Sequence, residues 1–177
     1  MPEAINLESI YTSPSFWFTQ IRPVQRELFK QSIYLINDAR QHNLLYYDYS
    51  YTVMPASKGY EGYVKDLLLN LGLITNDQHF GKKFRVGKAL NPSLVNHPRL
   101  KKEALYGKLT QLCGDQELAQ LLWDTWRECR NEVFHYYSKS IQALSLDEAQ
   151  HKIITILTAV KESSVSCKVG PFKPASI

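Results

Sequence analysis

The fold turns on one stretch, Asp115–Tyr137, DQELAQLLWDTWRECRNEVFHYY. Leu118, Leu122, Trp126, Cys129, Val133 and Tyr136 step by three and four residues, the spacing that aligns side chains along one face of an α-helix. This predicts a long core helix, with Asp115 supplying the capping oxygen at its start. Arg130, Asn131 and His135 fall off the stripe. Asn131 and His135 are four residues apart and share a face. Arg130 and His135 are five apart, about 140° around a regular helix axis. A straight helix does not deliver both to one ligand. Either the helix unwinds near His135, or a two-fold dimer sets a second copy beside the first. The plainer alternative is structural: Arg130 pairs with an acid on a neighbouring helix, and His135 caps a helix end.

Outward from this stretch the pattern stays helical. Ser145 with Glu148 three residues later is a capping box, so a new helix starts at Leu146 and runs to about Glu162. The connection is short, which predicts an antiparallel helix pair. Upstream, HPRLKKEALYGKLTQLCG (97–114) reads as a helix stopped by Gly114. PASKGYEGYVKDLLLNLG (55–72) reads as a helix with Pro55 in its first turn and Gly72 at its stop. Gly59 and Gly62 within it either allow close packing or leave room for something beside the helix. SFWFTQIRPVQRELFKQSIYLINDARQHN (15–43) is helical, with Pro23 setting a start or a kink. LLYYDYSYTVM (44–54) is extended, a loop or a short strand. Residues 75–97 read as a long loop, and the tail from residue 163 as loose. The expected fold is mainly α, a bundle of four to five helices with a long basic loop. Residues 1–52 form a helical, tyrosine-rich segment packed on the same domain; 53–162 form the main helical domain.

The chain has 177 residues, 44% of them hydrophobic, enough for one domain with a real core. No apolar run reaches the ~18 residues of a membrane span, and the start, MPEAINLESIYTSPS, lacks a basic-then-apolar signal pattern. The expectation is a cytoplasmic protein. Cys113, Cys129 and Cys167 show neither a Cys-x-x-Cys nor a zinc spacing, so they are expected to be thiols in a reducing compartment.

The net charge of +4 is modest, but its distribution is uneven. Phe80–Lys102 carries Lys82, Lys83, Arg85, Lys88, Arg99, Lys101 and Lys102 without one acidic residue. Such a run either contacts phosphates or is a solvated loop. Gly81-Lys82-Lys83 is not a P-loop, because the upstream glycine and the following Ser/Thr are missing. His42, His79, His97 and His151 have no ligand spacing and suit surface or core roles. The tyrosines of YYDYSY (46–51) suit packing better than base stacking. Nothing in the sequence calls for acyl transfer.

RNEVFH (130–135) fits the Arg-x-x-x-x-His signature of the HEPN superfamily, in which a polar residue, here Asn131, follows the Arg. RNEVFHYY extends it to an Arg-x-x-x-x-His-x-Tyr form with Tyr137 last. ASKGYEGYVKDLLLNLG also resembles a helix of RnlA/LsoA-type toxin RNases: a basic residue, here Lys58, a Glu three positions on, here Glu61, then Gly62 and an apolar run. That group often has Arg where this chain has Lys58, which keeps the charge but loses the planar fork. The resemblance spans about residues 53–162 and implies a dimerising helical bundle, a metal-independent RNase of toxin or antiphage kind, and no cofactor.

The chemistry so implied is compact. RNA brings its own nucleophile, the 2′-hydroxyl. His135 would act as acid or base and Arg130 would stabilise charge on phosphate. Asn131 would orient His135 or hold a phosphate oxygen. Lys58 would add charge, and Glu61 would orient Arg130 or act as a second acid/base. Lys82, Lys83, Arg85 and Lys88 would bind RNA. The products would carry cyclic-phosphate ends. Implied partners are RNA, a second copy completing a composite site, and a cognate antitoxin protein. Two other readings share the motif: a non-catalytic module holding RNA or a nucleotide, and a toxin silenced by nucleotidylation of Tyr137.

Overall fold

Short-range chemistry fixes where several of the helices start or stop. The computed structural model describes residues 5–136 and 143–166, and among these the chain is helical with no strand. Two short turns, α1 (Ser9–Thr12) and α2 (Phe16–Gln20), lead into α3 (Pro23–Gln41). Pro23 sits at the first helical position and sets a start rather than a kink, since its missing N–H costs nothing there. The long α4 (Ser50–Asn70) follows and stops at Gly72, which takes a left-handed φ of 68°.

The helix α4 starts five residues earlier than Pro55 suggests, so Pro55 lies inside it. Asp48 explains the earlier start: its carboxylate accepts from the Ser50 N–H at 3.0 Å and the Ser50 hydroxyl at 2.6 Å. Beside Pro55, where the proline disrupts the helical ladder, the Ala56 N–H donates across to the buried Ser32 hydroxyl of α3 at 2.8 Å. The proposed boundary between residues 52 and 53 therefore falls inside one helix, with Thr52 and Val53 both fully buried. Of the tyrosine-rich run, Tyr49 enters the core and its hydroxyl donates to the Leu44 carbonyl, while Tyr46, Tyr47 and Tyr51 stay at the surface.

The expected loop at 75–97 is partly helical. It holds α5 (Asn76–Phe80), α6 (Val86–Leu90) and a 3-10 turn at Pro92–Leu94. The expected helix at 97–114 is shorter, only α7 (Tyr106–Cys113), with Gly114 closing it at φ 86°. Then come α8 (Glu117–Trp126), a wide π-type turn at Arg127–Asn131 and the single turn α9 (Glu132–Phe134). The N-cap of α8 is Gln116 rather than Asp115, which sits one residue before it and accepts from the Glu117 N–H at 2.8 Å. The helix α10 (Leu146–Val165) opens on the expected capping box of Ser145 and Glu148. It runs three residues past Glu162, so Ser163, assigned to the tail, is buried in the core.

Helices α3, α4 and α10 pack on one another, and α8 lies against α10 and α4. Phe29, Ile33, Ile36, Leu67, Leu68, Leu122, Ile153 and Val160 fill the space between them. The N-terminal segment joins the same core through Ile10, Phe18 and Ile21. Gly59 and Gly62 resolve as close-packing positions: a Cβ at Gly59 would meet the Phe29 ring at 3.0 Å, and one at Gly62 the Gln25 side chain at 3.3 Å. No helix among the described residues is long and apolar enough to cross a membrane. Cys129 is a buried free thiol, but Cys113 is disulfide-bonded, so the expectation of three thiols fails there.

Asp48 also accepts from the Leu144 N–H at 3.0 Å, tying the start of α4 to the approach of α10. Burial pushes its pKa up, but the hydrogen bonds from Ser50 and Leu144 outweigh that and hold the carboxyl below its usual range. A carboxyl depressed in the folded state adds stability above its unfolded pKa and loses it as pH falls through the folded one. Asp48→Ala is therefore expected to cost about 1 kcal/mol at pH 7. In urea melts across pH, the gap to wild type should close on acidification; a gap unchanged at pH 2 would refute this role.

Candidate functional site

The geometric demand set by Arg130 and His135 is met within one chain. At Arg127–Asn131 the helix widens, and the Glu132 N–H reaches back five residues to the Arg127 carbonyl. Directly after α9 the backbone leaves the helix: His135 has φ −108°, ψ 132°. The His135 ring takes over a ladder position, its Nδ1 lying 2.9 Å from the Asn131 carbonyl. A carbonyl only accepts, so Nδ1 carries the hydrogen, and a neutral ring in this tautomer has its basic lone pair on Nε2. The helix release also explains Tyr136, which the apolar stripe assigns to the core but which is 77% exposed. Tyr137 lies outside the described residues.

Arg130 and His135 line one cleft of about 560 Å³, together with Asn131, Glu61, Arg85 and Lys88. Glu61 meets Arg130 at its Nε, 3.5 Å away, with both side chains about one-third exposed. The guanidinium lies 5.9 Å from the centre of the Trp126 ring. Lys58 lines a neighbouring depression of about 430 Å³ that shares Glu61 and Arg130 with the cleft. Lys82 and Lys83 line a third, of about 520 Å³, that shares Arg85 and Lys88. The structure thus strings the candidate residues along one continuous surface. Lys58 is at one end, the two lysines are at the other, and Arg130 and His135 sit between. Lys88 is partly offset by Glu103 at 3.6 Å.

The helix α4 holds this arrangement from behind. Ser57, Tyr60 and Glu61 share a face, and all three reach the α8 side. The Ser57 hydroxyl lies 2.6 Å from the Cys129 carbonyl inside the wide turn, and Tyr60 donates to the Leu122 carbonyl at 2.9 Å. Burial pushes the Cys129 thiol up to about 12, which keeps it neutral and makes it a poor nucleophile. Among the described residues no group of three His, Cys, Asp or Glu side chains could hold a metal ion.

Sequence reasoning missed two features of the cleft. Trp123 and Trp126 line it as a stacked pair, with ring centres 5.7 Å apart and planes 17° apart. Trp126 reads from spacing as core, and it does pack against the core while also facing the cleft. Gly87 of α6 supports it: a Cβ there would fall 2.2 Å from the indole. The remaining histidines play structural or surface parts. His79 is bonded to buried Asp66 at 2.6 Å, His42 pairs with Asp38, and His97 accepts backbone N–H groups of Arg99 and Leu100.

Comparison with protein-family models, with curated proteins and with solved structures finds no match to this chain. The functional argument therefore rests on the residues and their geometry.

Gly87→Ala is expected to force α6 and the Trp126 indole apart, costing about 1–3 kcal/mol in a denaturant melt and shifting the tryptophan emission of the folded state. An unchanged emission maximum, with a loss below about 0.5 kcal/mol, would show that the contact does not fix the cleft wall.

Proposed function

We propose that this chain is a HEPN-type endoribonuclease that cleaves RNA through its own 2′-hydroxyl, without a metal, and acts as a toxin or antiphage effector. The observation that carries the reading is the meeting of Arg130, Asn131 and His135 in one cleft with Glu61, Arg85 and Lys88. An imidazole able to give or take a proton and several cations are the minimum that this chemistry requires.

In this reading His135 Nε2 takes the 2′-hydroxyl proton while the 2′-oxygen attacks phosphorus. The P–O5′ bond breaks, the leaving 5′-oxygen is protonated by water, and a 2′,3′-cyclic phosphate remains. Arg130 offsets the charge that builds on the non-bridging oxygens through paired N–H donors. Glu61, 3.5 Å from Arg130 Nε, acts as its orienting partner. The role for Asn131 falls to its backbone carbonyl, which sets the His135 tautomer. Lys58 and the run Lys82, Lys83, Arg85 and Lys88 hold flanking phosphates on either side. A homodimer and a neutralising antitoxin protein belong to the same proposal, with cytoplasmic RNA as the target.

The test is a cleavage assay on a defined single-stranded RNA in excess EDTA. Wild type is expected to leave cyclic-phosphate ends. His135→Ala should fall by about 10²–10⁴-fold and Arg130→Ala by about 10²–10³-fold, each with an unchanged melting temperature. Equal cleavage by His135→Ala and wild type would overturn the assignment. RNA binding without cleavage by any of the three proteins would instead make the chain a binding module.

A further inference from the structure

We propose that the Trp123–Trp126 stack is a nucleobase-binding subsite, so that the cleft takes unpaired RNA with a base against the tryptophan wall and its phosphates on the cations that line the same cleft. This rests on the RNA reading above and adds the recognition element that it lacks.

Four observations carry it. First, both indoles line the same cleft as Arg130 and His135. A hydrophobic wall beside cations is the arrangement that binds a nucleotide's two halves: a flat apolar base and a charged phosphate. Second, the stack is rigid on its inner side. Trp126 has its ring carbons against Gly87, Trp123 stacked on it and the Arg130 guanidinium 5.9 Å from its centre. Third, no other ring stacks on Trp123 among the described residues. Trp123 itself lines the cleft, so this aromatic wall borders a space wide enough for a base. Fourth, the indole Nε1 of Trp126 is buried with no hydrogen-bond partner. A buried donor left unpaired is unfavourable, so this indole has a hydrogen bond still to gain at the cleft wall.

The proposal selects among RNA forms. Bases inside an A-form helix are already stacked and paired, so duplex RNA cannot lend one to Trp123. Recognition by stacking is tolerant of base identity, because every base has a π-face. The predicted preference is therefore for single strands, loops and ends, with weak base specificity.

The test measures binding in the His135→Ala background, so that cleavage does not consume the ligand. A short single-stranded RNA, its duplex and inorganic polyphosphate are titrated against His135→Ala alone and with Trp123→Leu or Trp123→Phe added. Trp123→Leu is expected to weaken the single strand by roughly tenfold and to leave polyphosphate unchanged. Trp123→Phe should restore most of the affinity, which also shows that the site is still folded. Single-stranded RNA should quench tryptophan emission of the His135→Ala protein, and this quenching should shrink in Trp123→Phe. Equal loss of RNA and polyphosphate binding in Trp123→Leu, or no loss of either, overturns the subsite while leaving the RNA reading intact. Absence of RNA binding by His135→Ala and wild type alike removes both.

Discussion

The hydrogen bond from the Ser57 hydroxyl to the Cys129 carbonyl, 2.6 Å long and fully buried, is the contact on which the site depends. Cys129 lies inside the wide turn at Arg127–Asn131, where the regular helical ladder is disturbed. A buried carbonyl with no donor costs about 1–3 kcal/mol, so a turn of this kind needs a partner from outside its own helix. Ser57 supplies it. One turn along the same face of α4, Tyr60 donates to Leu122, and burial keeps that phenol neutral, its pKa well above the ordinary value. Glu61 then reaches Arg130. Three successive positions on one face of α4 thus hold the turn, its helix and its arginine.

The opposite wall of the cleft is fixed by a different kind of interaction. Asp66 of α4 is about 5% exposed and would be costly alone. Arg22 meets it at 2.9 Å, Gln25 donates to it at 2.6 Å and His79 lies 2.6 Å away. His79 belongs to α5, so this buried cluster pins the start of the basic segment to α4. Lys65 adds to the clamp, donating to the His79 carbonyl and standing 5.9 Å from the Phe84 ring. A few residues on, Gly87 lies against Trp126. The cationic side chains of Arg85 and Lys88 are therefore carried on a backbone held at both ends. The helix α4 serves both walls, which is why it is buried on several faces at once rather than along one stripe.

How much of this could be read from the chain follows from the range of the forces involved. Ser145 with Glu148, Pro23 and Gly114 act on their immediate neighbours, and the sequence reading placed each correctly. Pro55 misled because the helix begins upstream of it, at Ser50, whose N–H and hydroxyl donate to Asp48, and carries the proline inside. The helices α5 and α6, five residues each, are too short to show a period and are held by tertiary contacts. A local signal for α5 did exist: Thr75 and Gln78 form a capping box. The wide turn was out of reach of any local rule, since its partner Ser57 is 72 residues away. The sequence did pose the right question about Arg130 and His135. One of the two routes it left open, helix unwinding near His135, is seen in the chain.

Chemistry and recognition place the same demand on a substrate for such a cleft. Attack by a 2′-oxygen on its neighbouring phosphorus needs the attacking and leaving oxygens in line, a backbone geometry that an A-form duplex holds away from. A strand free to reach that geometry is also free to unstack a base. In the reading proposed here, a base against the tryptophan wall would give the strand a fixed point in the cleft. The cations at both ends of the surface would then set its direction without reading its sequence. In that reading the stack would supply position, the cations would supply charge, and His135, at the released end of the helix, would be left to move the proton. Each part depends on the irregular turn. Were Arg127–Asn131 a regular helix continuing through Tyr136, Arg130 and His135 would stand about 140° apart, and no placement of the base could bring one phosphodiester to both.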